Sequence, residues 1–434
     1  MTCRSLQVNS QEEWQNASQW LKDRAKSSSE VEAKVSEIIA RVQNEGDAAL
    51  IAYTSQFDCH DFKSPLRLTE HEISLAAASI PPEDRDRIYR AADNIRAFHE
   101  NQKEKSWFIT QSDGTILGQR VLPVDAVGLY VPGGQGGNTP LISTLLMNAI
   151  PAQTAGVTRI AICTPPRKDG TINPHILAAA HLLGIEEIYR VGGAWSIAAL
   201  AYGTESIAPV DVIAGPGNIF VTTAKRLVQG KVGIDMIAGP SEVLVLADGS
   251  ANLEYLAADL LSQAEHDPLA SAIVITTDKH LADDLPAELD RQCATLPRAE
   301  IASRSLQDWG AVVLVPTMKL AIDIANAIAP EHLEVATRNP WAILPSIRHA
   351  GAIFLGHNSP EPLGDYYAGP NHVLPTMGTA RFSEALSVQT FCKKSSIIAA
   401  SPSFLNASIE DVAALARLEG LEAHARSVEV RSQH

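Results

Sequence analysis

Short apolar runs alternate with longer amphipathic segments through the middle of the chain. The runs are rich in Val and Ile and bounded by Gly, Pro or Asp, which is typical of strands buried on both faces of a parallel sheet. They cover residues 126–132, 159–164, 187–192, 210–215, 242–248, 271–277, 311–316 and 352–356. Helices are predicted between them, for example over 173–184, 194–203, 219–230 and 319–329. Alternating strands and helices predict a doubly wound α/β architecture.

The two ends of the chain have a different pattern. The first 100 or so residues are charged and helix-rich, with 31–58 as the clearest amphipathic stretch, and the last 45 or so are helical again. Helical arms around an α/β centre pack on a partner subunit in some proteins and cover their own sheet in others. The pattern leaves both arrangements open.

Composition narrows the class of protein. A chain of 434 residues is long enough for two to four domains. The net charge of −15 makes a nucleic-acid partner unlikely. The N-terminal stretch does not resemble a secretory signal, and no stretch approaches the ~18 apolar residues of a membrane span. Five scattered cysteines without a CxxC pair are typical of free thiols in a reducing cytoplasm. We therefore expect a cytoplasmic protein without a membrane or nucleic-acid partner.

The stretch LSQAEHDP, residues 261–268, ends a predicted helix with two polar side chains on one flank. At about 100° per residue, Gln263 and His266 lie beside the apolar stripe of the helix and point into the same cleft. This spacing allows one helix to present two ligands to one metal ion. Gln is an uncommon ligand, so the two residues alone favour a polar helix end over a metal site.

Three further polar clusters are candidates for chemistry. Glu331 and His332 follow the helix-stopping Pro330 and could form an acid/base pair. The loop 363–376 collects polar and aromatic side chains among Gly and Pro, as site loops often do. From the residues alone, a solvated loop is the better interpretation of Glu331 and His332, and an ordinary Gly/Pro turn is as good an interpretation of 363–376 as a site loop. The third pair, Glu419 and His424, reads by default as a charged helix face.

Glycine-rich stretches mark the ends of three predicted strands. Residues 130–140 match neither a Walker A loop nor a GxGxxG fingerprint. Residues 212–218 lead from a strand into a helix, a junction that can hold a phosphate at the helix N-terminus. Together with 191–204, they predict a nucleotide cleft at the carboxyl ends of the strands.

The ordered motifs of the chain resemble those of the histidinol dehydrogenase family over nearly its full length. The matching stretches are VGLYVPGG, GGAWSIAALAYGT, GPGNIFVTTAKR, IDMIAGPSEVLVLAD, LLSQAEHD, APEHLE, GDYYAGPNHVLPT and LEGLEAHARSVEVR. The resemblance implies two Rossmann-like doubly wound parallel-sheet domains with helical N- and C-terminal arms. The expected divisions are an arm over 1–27, a first α/β domain over 28–128 and 241–386 with most zinc and catalytic residues, a second, NAD-binding α/β domain over 129–240, and a dimer-contacting arm over 387–434.

The resemblance also implies a chemistry. Members of the family are zinc-dependent homodimers that oxidise L-histidinol through L-histidinaldehyde to L-histidine in histidine biosynthesis, with two NAD molecules reduced in succession. Carried onto this chain, the implied catalytic acid/base residues are Glu331 and His332. The implied zinc ligands are Gln263, His266, Asp365 and His424. The implied substrate contacts are Ser241, Gln263, His266, His332, Asp365, His372, Glu419 and His424. Tyr130 and Asn218 match NAD contacts, and Glu419 and His424 are expected to reach the neighbouring subunit's site.

One position departs from the family pattern. The family usually has Gln where this chain has Trp195, and that Gln contacts the dinucleotide. An indole has one donor and no acceptor, so Trp195 would stack on NAD or narrow the cleft instead. This departure favours a related zinc and NAD dehydrogenase of another small polar alcohol, such as a sulfonated diol, whereas Glu419 and His372 favour histidinol. A non-enzymatic binding protein is disfavoured because every implied ligand and acid/base residue is present.

Overall fold

The computed structural model describes residues 3–22, 24, 29–133 and 140–433. Its strands are β1 (Arg4–Gln7), β2 (Trp107–Thr110), β3 (Ile116–Pro123), β4 (Ala126–Tyr130), β5 (Arg159–Thr164), β6 (Glu187–Arg190), β7 (Val212–Ala214), β8 (Gly233–Ile234), β9 (Glu242–Ala247), β10 (Ser271–Thr276), β11 (Ala311–Leu314), β12 (His332–Ala336), β13 (Ala352–Leu355) and β14 (Cys392–Ala399). Every strand predicted from the apolar runs is present. Residues 134–139, in the middle of the first glycine-rich stretch, lie outside the described part.

The helices fill the intervals between the strands. They are α1 (Gln11–Ala17), α2 (Gln19–Lys22), α3 (Ser29–Glu45), α4 (Asp47–Phe57), α5 (Glu70–Ser79), α6 (Pro82–Glu100), α7 (Ile142–Ala155), α8 (Pro174–Leu182), α9 (Gly193–Tyr202), α10 (Ile219–Val228), α11 (Leu253–Ala264), α12 (Lys279–Cys293), α13 (Ala299–Trp309), α14 (Met318–Ile328), α15 (Pro340–Ile343), α16 (Glu361–Tyr366), α17 (Pro402–Leu418) and α18 (Glu422–Glu429). Many begin at a side-chain cap, such as Asn252 accepting from the Tyr255 amide at α11. Among the described residues, no helix is long and apolar enough to cross a membrane.

Two parallel sheets form the centre of the fold. The larger has the order β1-β11-β10-β9-β12-β13 and the smaller β6-β5-β4-β7-β8, and every pairing in both is parallel. Numbered within its own sheet, each contains the strand order 3-2-1-4-5 of dinucleotide-binding folds, and β1 extends the larger one at its edge. The predicted α/β class with two Rossmann-like sheets is confirmed.

Helices cover both faces of the larger sheet. Val243 and Val245 of β9 pack with Leu256 and Leu260 of α11, whereas the alternate residue Leu244 packs in the cluster that contains Trp14 and Ile324. Side chains of a strand alternate between faces, so a continuous apolar run such as EVLVLA is what a doubly covered strand requires.

A separate antiparallel sheet of β14, β3 and β2 was not predicted. All four residues of β2 are exposed, so the burial pattern that reveals a strand is missing there. The molecule divides into two compact units, one reaching to Gln102 and including Asp125–Phe391, the other containing Lys103–Val124 and the residues from Cys392 onward. Both parallel sheets belong to the first unit. The finer domain boundaries expected from the sequence stay a prediction.

Candidate active site

The acid/base pair lies where two neighbouring strands of the larger sheet begin. α14 ends at Ile328 and is capped by Ala329, whose positive φ of 53° reverses the chain, and β12 then starts at His332 beside β9. The Glu331 carboxylate accepts a hydrogen bond of 2.8 Å from the Glu242 amide, and the Glu331 amide donates to the Glu242 carboxylate at 3.3 Å. Glu331 and His332 are both buried, at 6% and 3% exposure, so the solvated-loop alternative is wrong for these two residues.

The ring of His332 has one nitrogen in use and one available. Nδ1 lies 2.9 Å from the Glu242 carbonyl oxygen, which can only accept, so Nδ1 carries a proton. Nε2 is buried and has no hydrogen-bond partner among the described residues; it lies 3.7 Å from Asp365 Oδ1 and 4.0 Å from Glu361 Oε1. In the neutral ring, Nε2 therefore holds the lone pair and is the atom that can take a proton from a bound molecule.

Burial and neighbouring charge shift the pKa values of both residues. Burial raises the pKa of Glu331, and the positive charge of His332 only partly offsets this. Burial acts to lower the pKa of His332, but the negative charges of Glu331, Asp365 and Glu361 outweigh it and raise that pKa. His332 is thus a stronger base than a free imidazole, and Glu331 a stronger base than a free carboxylate.

Three potential metal ligands converge beside His332. Ligand atoms of His266, Glu361 and Asp365 all lie within 4.8 Å of one another. Glu361 and Asp365 are one helical turn apart on α16, and His266 follows the end of α11. Ser262 on α11 donates to Glu361 at 3.0 Å, which ties the two helices together at this point.

The amide of Gln263 fits a metal in the same place. Gln263 is 1% exposed, and within the described part of the chain its buried side-chain oxygen has no hydrogen-bond partner. An unpaired buried carbonyl is costly, and a cation would satisfy it. A neutral oxygen, an imidazole and carboxylates are ligands that zinc accepts. The donor set therefore fits the expected metal.

His372 and Ser241 lie on elements that adjoin this cluster. The ring of His372 donates from Nδ1 to the Asp365 carbonyl at 3.0 Å. Its loop is anchored through the neighbouring Asn371, whose amide donates to the Met147 carbonyl at 2.6 Å. Ser241 directly precedes Glu242, and its carbonyl accepts from the Ser271 amide at 3.0 Å.

Sequence reasoning missed three residues that support the site. Glu361 belongs to the metal-ligand cluster itself, and its position four residues before Asp365 was the only available signal. Glu242 holds Glu331, and it forms a buried ion pair with Arg24. The sequence offered no sign of that pair, because its members are separated by more than two hundred positions.

Glu419 and His424 belong to the second unit of the molecule. Glu419 caps the C-terminal end of α17 and His424 lies in α18, and both are exposed. Their expected approach to a neighbouring subunit stays a prediction.

The predicted nucleotide contacts lie at the carboxyl ends of the smaller sheet. Tyr130 ends β4, and Gly215 follows β7 with a φ of +120°. A Cβ at Gly215 would lie 2.1 Å from the Tyr130 carbonyl oxygen, so only glycine fits. Beneath this turn the buried Lys225 donates to the Gly215 carbonyl at 2.9 Å and pairs with Asp235.

Asn218 and Trp195 have structural roles beside the cleft. Asn218 caps α10 by accepting from the Phe220 and Val221 amides at 3.1 and 3.2 Å. Trp195 is 7% exposed, with ring centroids 5.5 Å from those of both Tyr53 and Phe57 on α4. Its indole Nε1 is buried without a partner.

Known proteins match the chain over almost its whole length. The family model for histidinol dehydrogenase matches residues 21–432. A histidinol dehydrogenase of Nitratidesulfovibrio vulgaris is 63% identical over 433 residues, covering 100% of this chain and 99% of that protein. One of Bacillus subtilis is 55% identical over 399 residues, covering 92% of each. The crystal structure of histidinol dehydrogenase from Elizabethkingia anophelis superposes with a TM-score of 0.93 at 38% identity, covering 99% of this chain and 98% of that one. The chain belongs to the histidinol dehydrogenase family.

Proposed function

We propose that this protein oxidises L-histidinol through L-histidinaldehyde to L-histidine, with two molecules of NAD reduced in succession. The observation that carries the proposal is the unpartnered Nε2 of His332, buried beside Glu331 and facing the cluster of His266, Glu361 and Asp365. The two proposed bases thus lie close to the proposed metal ligands. The chain that holds them is 63% identical to a protein named histidinol dehydrogenase.

The proposed metal is one zinc ion per subunit. Gln263, His266 and Asp365 would hold it together with His424 of a neighbouring subunit, in a homodimer that shares its sites. When bound, zinc supplies a Lewis acid that orients the amino alcohol, and NAD accepts the hydride. Glu361 lies close enough to His266 and Asp365 to act beside them.

The two bases divide the oxidations between them. In the first, His332 Nε2 accepts the hydroxyl proton as the carbinol hydrogen leaves as hydride. In the second, Glu331 removes a proton from the water that adds to the aldehyde. The proton that His332 took in the first oxidation passes to the aldehyde oxygen as the water adds, which gives the hydrate and frees His332 Nε2. His332 then accepts a hydroxyl proton of this hydrate as the second hydride leaves. Keeping the aldehyde in the site prevents loss of a reactive intermediate.

Substrate and cofactor contacts complete the proposal. Ser241 and His372 would contact the substrate in one subunit, with Glu419 contributed by the other. NAD would lie at the carboxyl ends of β4 and β7, near Tyr130 and Asn218. That region fits a nucleotide because the glycine turn at Gly215 lets a ligand approach the backbone closely.

The test is a product ratio with the zinc-loaded enzyme. L-Histidinol should yield two NADH and one L-histidine per molecule, and a sulfonated diol should yield none. His332→Asn is the matched inactive control. Turnover of the diol without turnover of L-histidinol would contradict the proposed substrate, and one NADH per alcohol would contradict the two-step course.

A further inference from the structure

An acidic side chain, one of whose oxygens has no hydrogen-bond partner among the residues that the structure describes, lies at the carboxyl end of the smaller sheet. Asp58 directly follows α4, and its Oδ2 is buried without a hydrogen-bond partner. A Cβ placed on Gly192, just after β6, would lie 3.2 Å from that oxygen and 2.6 Å from Pro165 Cβ, just after β5. The carboxylate therefore sits over the ends of two neighbouring strands, and glycine at 192 leaves it room.

The strand order of the smaller sheet predicts a role for a carboxylate at this position. In sheets of the order 3-2-1-4-5, a dinucleotide binds across the carboxyl ends of the strands. An acidic residue near the end of the second strand accepts hydrogen bonds from the hydroxyls of the adenosine ribose. The second strand here is β5, which is followed by Pro165, Pro166 and Arg167. The next acidic residue, Asp169, already accepts from the Thr171 amide and hydroxyl at 3.0 and 2.7 Å.

In the loop that follows β5, the carboxylate of Asp169 is thus already engaged. Asp58, which follows α4, lies where it can take that role. We propose that Asp58 binds the adenosine ribose hydroxyls of NAD and thereby selects NAD over NADP. The 2′-phosphate of NADP would place negative charge against a buried carboxylate, which is strongly unfavourable. The inference rests on the proposed function, because it assigns a residue to the cofactor of that reaction.

Two neighbouring features support the assignment. Burial and, secondarily, the negative charge of Asp58 raise the pKa of Tyr130, so the carboxylate shares the cleft with this predicted NAD contact. Phe57, one residue before Asp58, is 59% exposed and offers a ring face on which an adenine can stack.

Trp195 positions this part of α4. Its indole packs on Tyr53 and Phe57, and a Cβ on Gly193 would lie 2.3 Å from the same indole. The Trp that replaces the family's usual Gln thus fastens the end of α4, and with it Asp58, to the start of α9.

The experiment measures binding rather than turnover. Dissociation constants of NAD⁺ and NADP⁺ are determined by calorimetry on the zinc-loaded enzyme without substrate, at pH 8.5. That pH keeps the carboxylate ionised, since burial raises the pKa of Asp58 to about 7. The variant is Asp58→Asn, and the control is Asp61→Asn, a nearby carboxylate whose side chain is 75% exposed.

Wild type and Asp61→Asn should prefer NAD⁺ strongly. Asp58→Asn should bind NAD⁺ about tenfold more weakly, as expected for losing hydrogen bonds to a charged group, while NADP⁺ binding stays constant or improves. Unchanged melting temperature and zinc content show that the variant is folded. An unchanged NAD⁺/NADP⁺ ratio would overturn the inference and leave the proposed function intact. A wild type that prefers NADP⁺, through Arg167, would also overturn it. Binding of neither dinucleotide would overturn both.

Discussion

Backbone contacts of Glu242 hold Glu331 and His332 in different ways. The Glu242 carbonyl fixes the proton of His332 on Nδ1, which leaves Nε2 to act as the proposed base, and the Glu242 amide holds one oxygen of Glu331. A hydrogen bond to a carboxylate at a buried position keeps it in one orientation. Since Glu242 spans both residues, a change at that position would disturb both bases at once.

Substitutions of the two bases should separate the two oxidations. His332→Asn should slow both steps by about 10²–10⁴-fold, the usual contribution of a positioned base. Glu331→Gln should mainly slow the second, because only that step needs water activated. Rates are measured separately with L-histidinol and with L-histidinaldehyde. Loss of alcohol oxidation with intact aldehyde oxidation in Glu331→Gln would contradict this division.

A pair of carboxyl groups, the buried Glu334 and the half-buried Asp259, should make stability depend on pH. Burial, and next the charge of Asp259, raise the pKa of Glu334, and burial raises the pKa of Asp259 to about 6. The folded state therefore keeps protons that the unfolded chain has lost. The stabilisation is complete below the unfolded pKa of about 4 and is lost as pH rises through the folded pKa values.

The amide of Glu334→Gln imitates the protonated carboxyl group, so the variant should avoid part of the loss of stability at high pH. We expect the variant to be more stable than wild type by about 1–2 kcal/mol at pH 8, with the gain absent at pH 4.5. The free energy of unfolding is measured by urea denaturation of the metal-free protein. Glu37→Gln, at an exposed position, is the control. A gain of equal size at both pH values would show that the pair does not titrate in this range.

At the scale of elements, the pattern of apolar residues predicts strands that are buried and misses a strand that is exposed. The central strands β9 and β10 of the larger sheet are buried along their whole length and could be predicted from their apolar composition. By contrast, β2 is exposed along its whole length and had no such signature. The helix of Gln263 was also predictable, because its apolar stripe is local.

The completed site could not be predicted from local patterns. Ligand atoms of His266 and Asp365 meet although about a hundred residues separate them, and Arg24 meets Glu242 over a longer interval. Periodicity describes neighbours in sequence only, so these pairings required either the resemblance to a family or the fold itself.

The turn between β7 and α10 should tolerate no side chain. Gly215→Ala would combine a left-handed φ with a Cβ 2.1 Å from the Tyr130 carbonyl oxygen. The control is Gly230→Ala, at a φ of +97° with nothing within 4 Å, which reports backbone strain alone. We expect the control to cost about 1–2 kcal/mol and Gly215→Ala at least ~2 kcal/mol more, with NAD⁺ binding lost. Equal losses in urea unfolding would contradict the steric argument.

At the scale of the whole molecule, the two sheets use opposite ends. The proposed bases Glu331 and His332 lie at the amino end of β12, beside the start of β9 in the larger sheet, whereas the proposed nucleotide cleft lies at the carboxyl ends of the smaller sheet. The larger sheet thus departs from the usual rule that ligands bind at carboxyl ends. In the proposed mechanism, α11 and the turn that follows it carry Gln263 and His266 back to the amino ends of this sheet. A second copy of the chain would add the remaining residues of the site.

The second unit has the surface expected of a partner-binding element. Ile398 is 75% exposed and Leu418 84%, and both belong to the same unit as Glu419 and His424. Large apolar side chains exposed on one unit often mark an interface with another chain. The exposed apolar side chains support the proposed homodimer, in which Glu419 and His424 complete the site of the neighbouring subunit.

Complementation between inactive variants tests whether the site is shared. Chains with His332→Asn and chains with His424→Asn should each form inactive homodimers. In a mixed dimer, the chain with intact His332 receives an intact His424 from its partner, so one of the two sites is complete. Random pairing of equal amounts should therefore restore about a quarter of wild-type activity, since half the dimers are mixed. The variants are co-expressed with different tags, and the mixed dimer, purified through both tags, should have about half of wild-type activity. A site built within one chain leaves every mixed dimer inactive, and that result would contradict the shared site.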